Sequence, residues 1–310
     1  MAVKRLAVIA LNWNGREDTL ALLRSLRAVR IPAGWEPRVM VVDNGSSDGS
    51  VDAVRSQFPE VDVLALGENR RFAGGNNAGL EHALYAGADA VMLLNNDVIA
   101  DPQLLEKLLA ALAEQPDAGA AAPLIYFAPP SDRIWYGGGR CQPWLAHSSH
   151  RGLREQDHGQ YRSIEDTGYL TGCCLLATAE AWRKVGFLDE RYFIYAEDAD
   201  WCLRARAAGY RLLFVPTARL WHRVSASSAN ASGGNAINAW KVYQRLRANL
   251  TLWARHAHGL GRLTWLPALL AQQAAYAAWL LARGHAAAAL AVPRALVDAA
   301  AKRPPAGVRL

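Results

Sequence analysis

Glu197, Asp198 and Asp200 put three carboxylates within four positions, just after the aromatic residues Tyr192, Phe193 and Tyr195 and ahead of a helix-like segment closed by Gly209. Two more reactive groups close apolar runs. Asp97 follows Val91–Leu94 as Asn95-Asn96-Asp97, and His222 ends the run that begins at Arg211. An Asp after a strand, a carboxylate cluster at a helix start and a late His suit an enzyme that holds a metal-bound phosphate and deprotonates a hydroxyl. In Asn95-Asn96-Asp97 one hard oxygen ligand is enough for Mg²⁺ or Mn²⁺ on a diphosphate, because phosphates and water fill the remaining positions. His222 offers a nitrogen ligand or a structural side chain, and the two readings stay open on the residues alone.

Two polar loops carry the other candidates. Val41-Val42-Asp43 runs into Asn44-Gly45-Ser46-Ser47-Asp48-Gly49-Ser50. This is either an ordinary turn, with Asp48 or Ser50 capping the next helix, or a strand end where Asp43 accepts the ring N–H of a pyrimidine. Asn69–Gly79 is rich in Gly and Asn ahead of a helix, including Gly74 and Gly75. Glycines let a backbone approach a ligand, and helix-start N–H groups favour phosphate. The loop lacks the Lys of a P-loop and the spacing of a dinucleotide loop, which argues against ATP hydrolysis and NAD binding.

These groups need a frame. Leu6–Leu11, Arg38–Val42, Val61–Leu66 and Ala90–Leu94 are short Val/Ile/Leu-rich runs, the pattern of strands buried on both faces. Glu17–Val29 and Asn77–Tyr85 read as helices between them. Asp101-Pro102 predicts a further helix, with Asp as N-cap and a buried stripe of Leu104, Leu105, Leu108, Leu109 and Leu112. Repeated β-α units predict an α/β fold with a mostly parallel, Rossmann-like sheet that binds ligands beyond its carboxyl ends. From about Pro123 to Asp166 the pattern is that of loops and short strands covering the site. Tyr169–Thr178 and Arg211–His222 read as strands, Ser225–Asn235 has lid or linker composition, and everything after about Ala239 reads as helix.

A hydrophobic content of 52% against 20% charged residues excludes a disordered chain. The first apolar run is too short for a signal peptide, so a cytoplasmic location is expected. Cys141, Cys173, Cys174 and Cys202 lack zinc spacing and read as reduced and mostly buried. Residues 236–310 hold ten Lys and Arg and one acid, a charge of +9, against +6 for the whole chain. The basic residues are interleaved with Trp, Leu and Ala, which favours a membrane surface over nucleic acid as partner. The uncharged stretch Leu263–Ala282 is twenty residues long and reads as an interfacial helix, a packed helix or a span.

In this order the motifs resemble family-2 glycosyltransferases of the A-type nucleotide-sugar fold, in particular the rhamnosyltransferase-like branch. The matching pieces are Leu11–Gly15, Val42–Gly49, Asn69–Gly79, Leu94–Asp97, Thr171–Cys174, Gly186–Glu190 and Glu197–Trp201, within roughly residues 5–225. The resemblance implies a catalytic domain over 1–235, with 1–125 binding the nucleotide sugar and 126–235 on the acceptor side, followed by a basic helical region over 236–310. It implies that Asp43 reads the nucleobase, that Asn12 and Asn77 line the donor pocket with Gly74 and Gly75, and that Asn95 lies near the ribose or phosphate with Asn96 beside it. It also implies Asp97 and His222 as ligands of Mg²⁺ or Mn²⁺, Asp198 as general base, and Glu197, Asp200 and Trp201 on the acceptor side. Two positions depart from the branch: Asn95 replaces an Asp, and Arg71 stands where Gly precedes Phe. The expected activity is inverting transfer of a sugar, with dTDP-L-rhamnose as donor, to a lipid-linked saccharide at the inner membrane surface. A sugar nucleotidyltransferase and a non-catalytic binding scaffold are the rivals. The first lacks its basic Gly-rich loop at Leu11–Gly15, and retention of Asp97 and Asp198 argues against the second.

Overall fold

In the computed structural model, which describes residues 3–128, 131–224 and 237–303, the apolar runs become a single large sheet. Strands β1 (Lys4–Asn12), β2 (Trp35–Asp43), β3 (Asp62–Ala65) and β4 (Ala90–Asn95) alternate with helices α1 (Arg16–Leu26), α2 (Ser50–Gln57) and α3 (Arg71–Tyr85). Their order is β3-β2-β1-β4, all parallel. The chain continues through β5 (Val98–Ala100), α4 (Leu104–Glu114), β6 (Ala118–Phe127), β7 (Ile134–Tyr136), β8 (Gly139–Gln142), β9 (His147–His150), β10 (Glu165–Asp166), β11 (Cys174–Thr178), α5 (Ala179–Val185), α6 (Glu197–Ala207) and β12 (Arg211–His222). Beyond β4 the sheet is mixed. β11 runs antiparallel between β4 and β6, and β12 lies parallel to β6. The parallel pairing of the expected mostly parallel sheet is concentrated in its first half, with β12 on β6 the parallel pair of the second.

The core follows from the strand composition. Val8, Ile9, Val42, Val91, Met92, Leu175 and Leu176 are almost fully buried, and full burial of such a side chain is worth about 1.5–3 kcal/mol. Helix α4 buries Leu104, Leu105, Leu108 and Leu109 as its spacing predicts, with Leu112 only partly buried. Its start differs from the expectation. Asp101 Oδ1 accepts from Gln103 N at 2.8 Å, and the helix opens at Leu104 with Gln103 as cap. Asp101 and Pro102 thus form a turn before the helix. Gly49, at φ 77, similarly takes the cap of α2 in place of Asp48 or Ser50. The strand expected over Tyr169–Thr178 is only Cys174–Thr178, because residues 171–173 turn towards the site.

Three helices close the chain: α7 (Ala239–His256), α8 (Gly261–Ala282) and α9 (Ala286–Ala300). They dock on the sheet domain. Arg255 and His256 reach Asp200 in α6, while Thr264 and Gln272 donate to the carbonyls of Trp144 and Leu145. Tyr243 donates to Asp298 at 2.9 Å and joins α7 to α9. No described helix is long and apolar enough to cross a membrane. The stretch Ser225–Asn235 lies outside the described residues. All four cysteines are free thiols. Burial pushes Cys141 up to about 12 and raises the thiols of Cys173, Cys174 and Cys202 well above the ordinary value.

Candidate active site

β1, β2 and β4 end side by side. Asn12 pairs with Asp43 and Leu11 with Asn95, so the polar residues of three motifs meet at one edge of the sheet. Asn12, fully buried, braces that edge. Its Nδ2 donates to Asp43 Oδ1 at 2.8 Å and to Ser46 Oγ at 3.1 Å, and its Oδ1 accepts from Thr19 Oγ1 and Asn96 Nδ2. The amide expected to line the donor pocket is thus bonded on both its nitrogen and its oxygen to neighbouring loops and α1. Asn96 is likewise turned inward, donating to Asn12 and to Thr19 at 3.1 Å. Asp43 is buried at the strand end, with one hydrogen bond to each oxygen, from Asn12 and from Ser46 N. A carboxylate oxygen retains a second lone pair for a ligand N–H.

The Gly-rich run is a helix, not a phosphate loop. A Cβ on Gly75 would stand 2.5 Å from Leu11 Cδ1, and one on Gly79 would stand 2.8 Å from Ile9 Cγ2. These glycines let α3 lie close against β1, and Gly74, also buried in α3, faces Arg70 and Glu190. Asn77 donates to Leu188 O and Glu190 Oε1 and accepts from Leu188 N, which ties α3 to the loop before α6. Gly74, Gly75 and Asn77 thus pack and brace α3 at the edge where donor-contact roles were expected of them. Arg71 opens α3 at φ 63. A non-glycine side chain there costs roughly 1–2 kcal/mol, in a conformation that Gly adopts without strain.

Asp97 and His222 converge. His222 Nε2 lies 3.1 Å from Asp97 Oδ1, and both side chains are buried. Pairing of β5 with β12 sets His222 opposite Val98, and Arg223 N donates to the carbonyl of Asp97 at 2.9 Å. Trp135 packs edge-on to the His222 ring with centroids 4.5 Å apart, and His150 packs on the same indole. Burial lowers His150 to about 4, with its bond to Trp135 O opposing that shift, so this imidazole is neutral near pH 7. Trp135 and His150 carry no signal in the sequence beyond an irregular His-containing segment; the topology alone brings them here.

The carboxylate cluster divides into two parts. Asp198 accepts from Gly172 N at 2.8 Å, and Asn95 N donates to Cys173 O at 2.9 Å. The turn over 171–173 thus joins the β4 end, two residues from Asp97, to Asp198. Glu197 is buried, and its Oε2 has no hydrogen-bond partner among the described residues. Burial and then the charge of Asp198 push Glu197 up to about 8. Burial also raises Asp198, against the N–H groups of Gly172 and Ala199 that favour its charged form. Directly upstream, Tyr195 and Ala196 sit at φ 73 and 68, two consecutive left-handed residues that aim the start of α6. Such strain persists where surrounding structure holds it, commonly at functional sites.

Asp200 and Trp201 face the other way. Asp200 is fully buried, bonded to Arg204 at 2.8 Å, His256 at 2.7 Å and Arg255 at 3.0 Å. Trp201 packs on Trp182 with centroids 4.4 Å apart and donates to Gly186 O. Of the two residues expected on the acceptor side, Asp200 ties α7 to α6, and Trp201 packs in the core. Successive helix residues point in different directions, so only part of a dense acidic cluster can face one ligand.

The parallel half-sheet with carboxylates at its carboxyl edge, joined to a mixed half and flanked by helices, is the fold of solved A-type glycosyltransferases. The chain superimposes with a TM-score of 0.58 and 19% identity on the mannosyltransferase PcManGT from Pyrobaculum calidifontis, solved with GDP-Man and Mn²⁺, over 94% of this chain and 86% of that one. With GalNAc-T7, solved with UDP, GalNAc and Mn²⁺, the TM-score is 0.59 at 15% identity, over 81% of this chain and 49% of that longer one. Residues 8–186 match glycosyl transferase family 2, and the chain belongs to that family. It is 31% identical over 227 residues to the N-acetylglucosaminyl-diphospho-decaprenol L-rhamnosyltransferase of Mycobacterium tuberculosis, covering 67% of this chain and 73% of the relative. It is 26% identical over 200 residues to the dTDP-rhamnosyl transferase RfbF of Shigella flexneri, covering 64% of this chain and 63% of that protein.

Proposed function

We propose that this glycosyltransferase moves L-rhamnose from dTDP-L-rhamnose to a lipid-linked saccharide, with inversion in a single displacement. The observation that carries the reading is the bonded route from Asn95 through the 171–173 turn to Asp198, which sets a raised carboxyl beside the Asp97 strand end. Asp198 takes the proton from the attacking acceptor hydroxyl, and the N–H groups of Gly172 and Ala199 hold its oxygens in place. Glu197 beside it orients the acceptor. Asp43 accepts the ring N–H of the pyrimidine, and Asn12 fixes that carboxylate.

Asp97 and His222 fit a divalent cation: an oxygen and a nitrogen donor converge, and the second ring nitrogen of His222 is buried with no partner among the described residues. Among the described residues no third His, Cys, Asp or Glu joins them, which suits a cation completed by substrate phosphates. A bound cation would neutralise the leaving diphosphate. The rhamnosyltransferase relatives support the choice of donor and acceptor. In a thermal-shift panel of nucleotide sugars with Mn²⁺, dTDP-L-rhamnose should stabilise most, by about 2.7 kcal/mol at a hundred times Kd. It should also release dTDP when a lipid-linked acceptor is added. Equal stabilisation by every nucleotide sugar, with no acceptor-dependent release, would overturn the assignment.

The same reading places the protein peripherally on the inner face of the cell membrane. Helix α8 buries only Gly261, Leu269 and Leu280, while Leu263 (77% exposed), Leu266, Leu270 and Leu281 project outward between Arg262 and Arg283. An apolar face bracketed by cations suits an anionic lipid surface, where each basic residue contributes up to about 1 kcal/mol. Anionic vesicles should bind the protein and release it as salt rises. Leu263→Gln with Leu281→Gln should weaken that binding without moving the melting temperature. Equal affinity for neutral and anionic vesicles would count against the surface.

A further inference from the structure

Two arginines reach the loop that leads into the carboxylates, and neither meets a carboxylate among the described residues. The Arg71 guanidinium lies 4.0 Å from the Phe193 ring centroid, and that of Arg245 lies 5.3 Å from the Tyr195 centroid. They come from different parts of the chain, Arg71 from the first turn of α3 and Arg245 from an exposed position on α7. Trp240 stands edge-on to Phe193 at 6.2 Å and extends the aromatic surface. Several nearby arginines are neutralised: Arg70 by Glu68, Arg191 by Asp189, Arg204 by Asp200, and Arg255 by Asp189 and Asp200; Arg247 instead donates to the Arg303 carbonyl.

Both cations are close to the chemistry. Phe72, next to Arg71, lies against Gly172, whose N–H is bonded to Asp198. Tyr195 is two residues from Glu197. The charge of Arg245 also reaches His150, which shares the Trp135 indole with His222. Arg71 holds its place against backbone preference. Asn69 Oδ1 accepts from its N–H, and Asn44 Nδ2 donates to its carbonyl, so the left-handed turn is fixed by two bracing amides. Arg71 over the Phe193 ring keeps its edge N–H groups available for a planar or tetrahedral anion, while Arg245, over the Tyr195 ring and hydrogen-bonded to that phenol, has further N–H groups to offer.

We propose that Arg71 and Arg245 clamp the phosphate oxygens of a substrate diphosphate across the 191–196 loop. This rests on the glycosyl-transfer reading above. Two sources share the chemistry: the nucleoside diphosphate of the donor, and a diphosphate that joins the acceptor sugar to its lipid.

The test uses the full-length protein, Arg71→Gly, Arg245→Gln and the double variant. Arg71→Gly suits the backbone at this position, so its melting temperature should equal or exceed that of wild type. Three titrations follow: dTDP against thymidine with Mn²⁺, a short-chain alkyl sugar diphosphate against the alkyl glycoside of the same sugar, and inorganic diphosphate. The double variant should lose about tenfold or more in affinity for inorganic diphosphate and for one of the two diphosphate ligands, a change of about 1.4 kcal/mol, while the phosphate-free partner is unaffected. Loss for dTDP assigns the clamp to the donor, and loss for the sugar diphosphate assigns it to the acceptor. Unchanged affinity in all arms, or equal loss for phosphate-bearing and phosphate-free ligands, would overturn the proposal. Because these are binding measurements, a wild-type protein that binds diphosphates but transfers no rhamnose would refute the rhamnosyl-transfer reading and leave the clamp standing.

Discussion

Asp198→Asn should lower acceptor-dependent turnover by roughly 10²–10⁴, the usual contribution of a positioned base, while donor binding stays near wild type. Asn keeps the size of the side chain and one carbonyl to accept from Gly172 N, but cannot take a proton. Burial raises both Asp198 and Glu197, and adjacent buried carboxyls release their protons as a pair. The base works only when ionised, so kcat/KM should rise with pH through an ionisation above the ordinary carboxylate range. Glu197, pushed up to about 8 in part by the Asp198 charge, is protonated when Asp198 ionises, so Glu197→Gln should leave that limb in place. The contrast with Asp200 separates chemistry from folding. Burial alone would raise Asp200, but bonds from His256 and Arg204 and the Arg255 charge outweigh it and hold the carboxyl below its ordinary value. Its stabilising effect is therefore present above the unfolded value of 3.8 and lost as pH falls through the lower folded one. Asp200→Asn should destabilise the fold by about 3–5 kcal/mol near neutral pH, as for a broken buried ion pair, and spare the turnover of the folded fraction. If Asp198→Asn turns over within a few-fold of wild type, the base lies elsewhere and Glu197 is the next candidate.

The frame was readable where local pattern and final environment agree. Arg211–His222 reads as a largely apolar strand and runs as one strand over those same residues, and the segments after Ala239 are helical as their composition predicts. Asp43, Asp97, Asp198 and His222 stand at element ends, where polar residues after apolar runs are conspicuous. Side-chain direction was not readable. Trp201 and Asp200 lie in the same short motif as Asp198, yet the helix turns them into the core and towards α7. Gly75 and Gly79 resemble ligand-loop glycines until the 2.5 and 2.8 Å approaches to Leu11 and Ile9 show that they serve helix packing. Trp135, His150 and Arg245 join the site through contacts between segments far apart in sequence, which periodicity does not encode.

Asp97→Ala should abolish turnover and weaken binding of the donor diphosphate, with His222→Ala milder because water can replace an imidazole ligand more readily than a charged oxygen. Excess EDTA should silence the wild-type enzyme, and added Mn²⁺ or Mg²⁺ should restore it; full activity in EDTA would sink the assignment. Removing Asp97 also deprives buried His222 Nε2 of a neighbour 3.1 Å away, so lost activity alone does not separate a lost ligand from a disturbed fold. Asp97→Asn makes that separation, since an amide oxygen can still meet the ring but carries no charge for a cation. Titration of dTDP with and without Mn²⁺ is the readout. In wild type the metal should tighten dTDP binding, and in both Asp97 variants that gain should vanish while metal-free affinity and melting temperature of Asp97→Asn stay near wild type. If Asp97→Asn retains the Mn²⁺-dependent gain, the carboxylate serves to orient His222, and the charge that holds the cation must come from another residue.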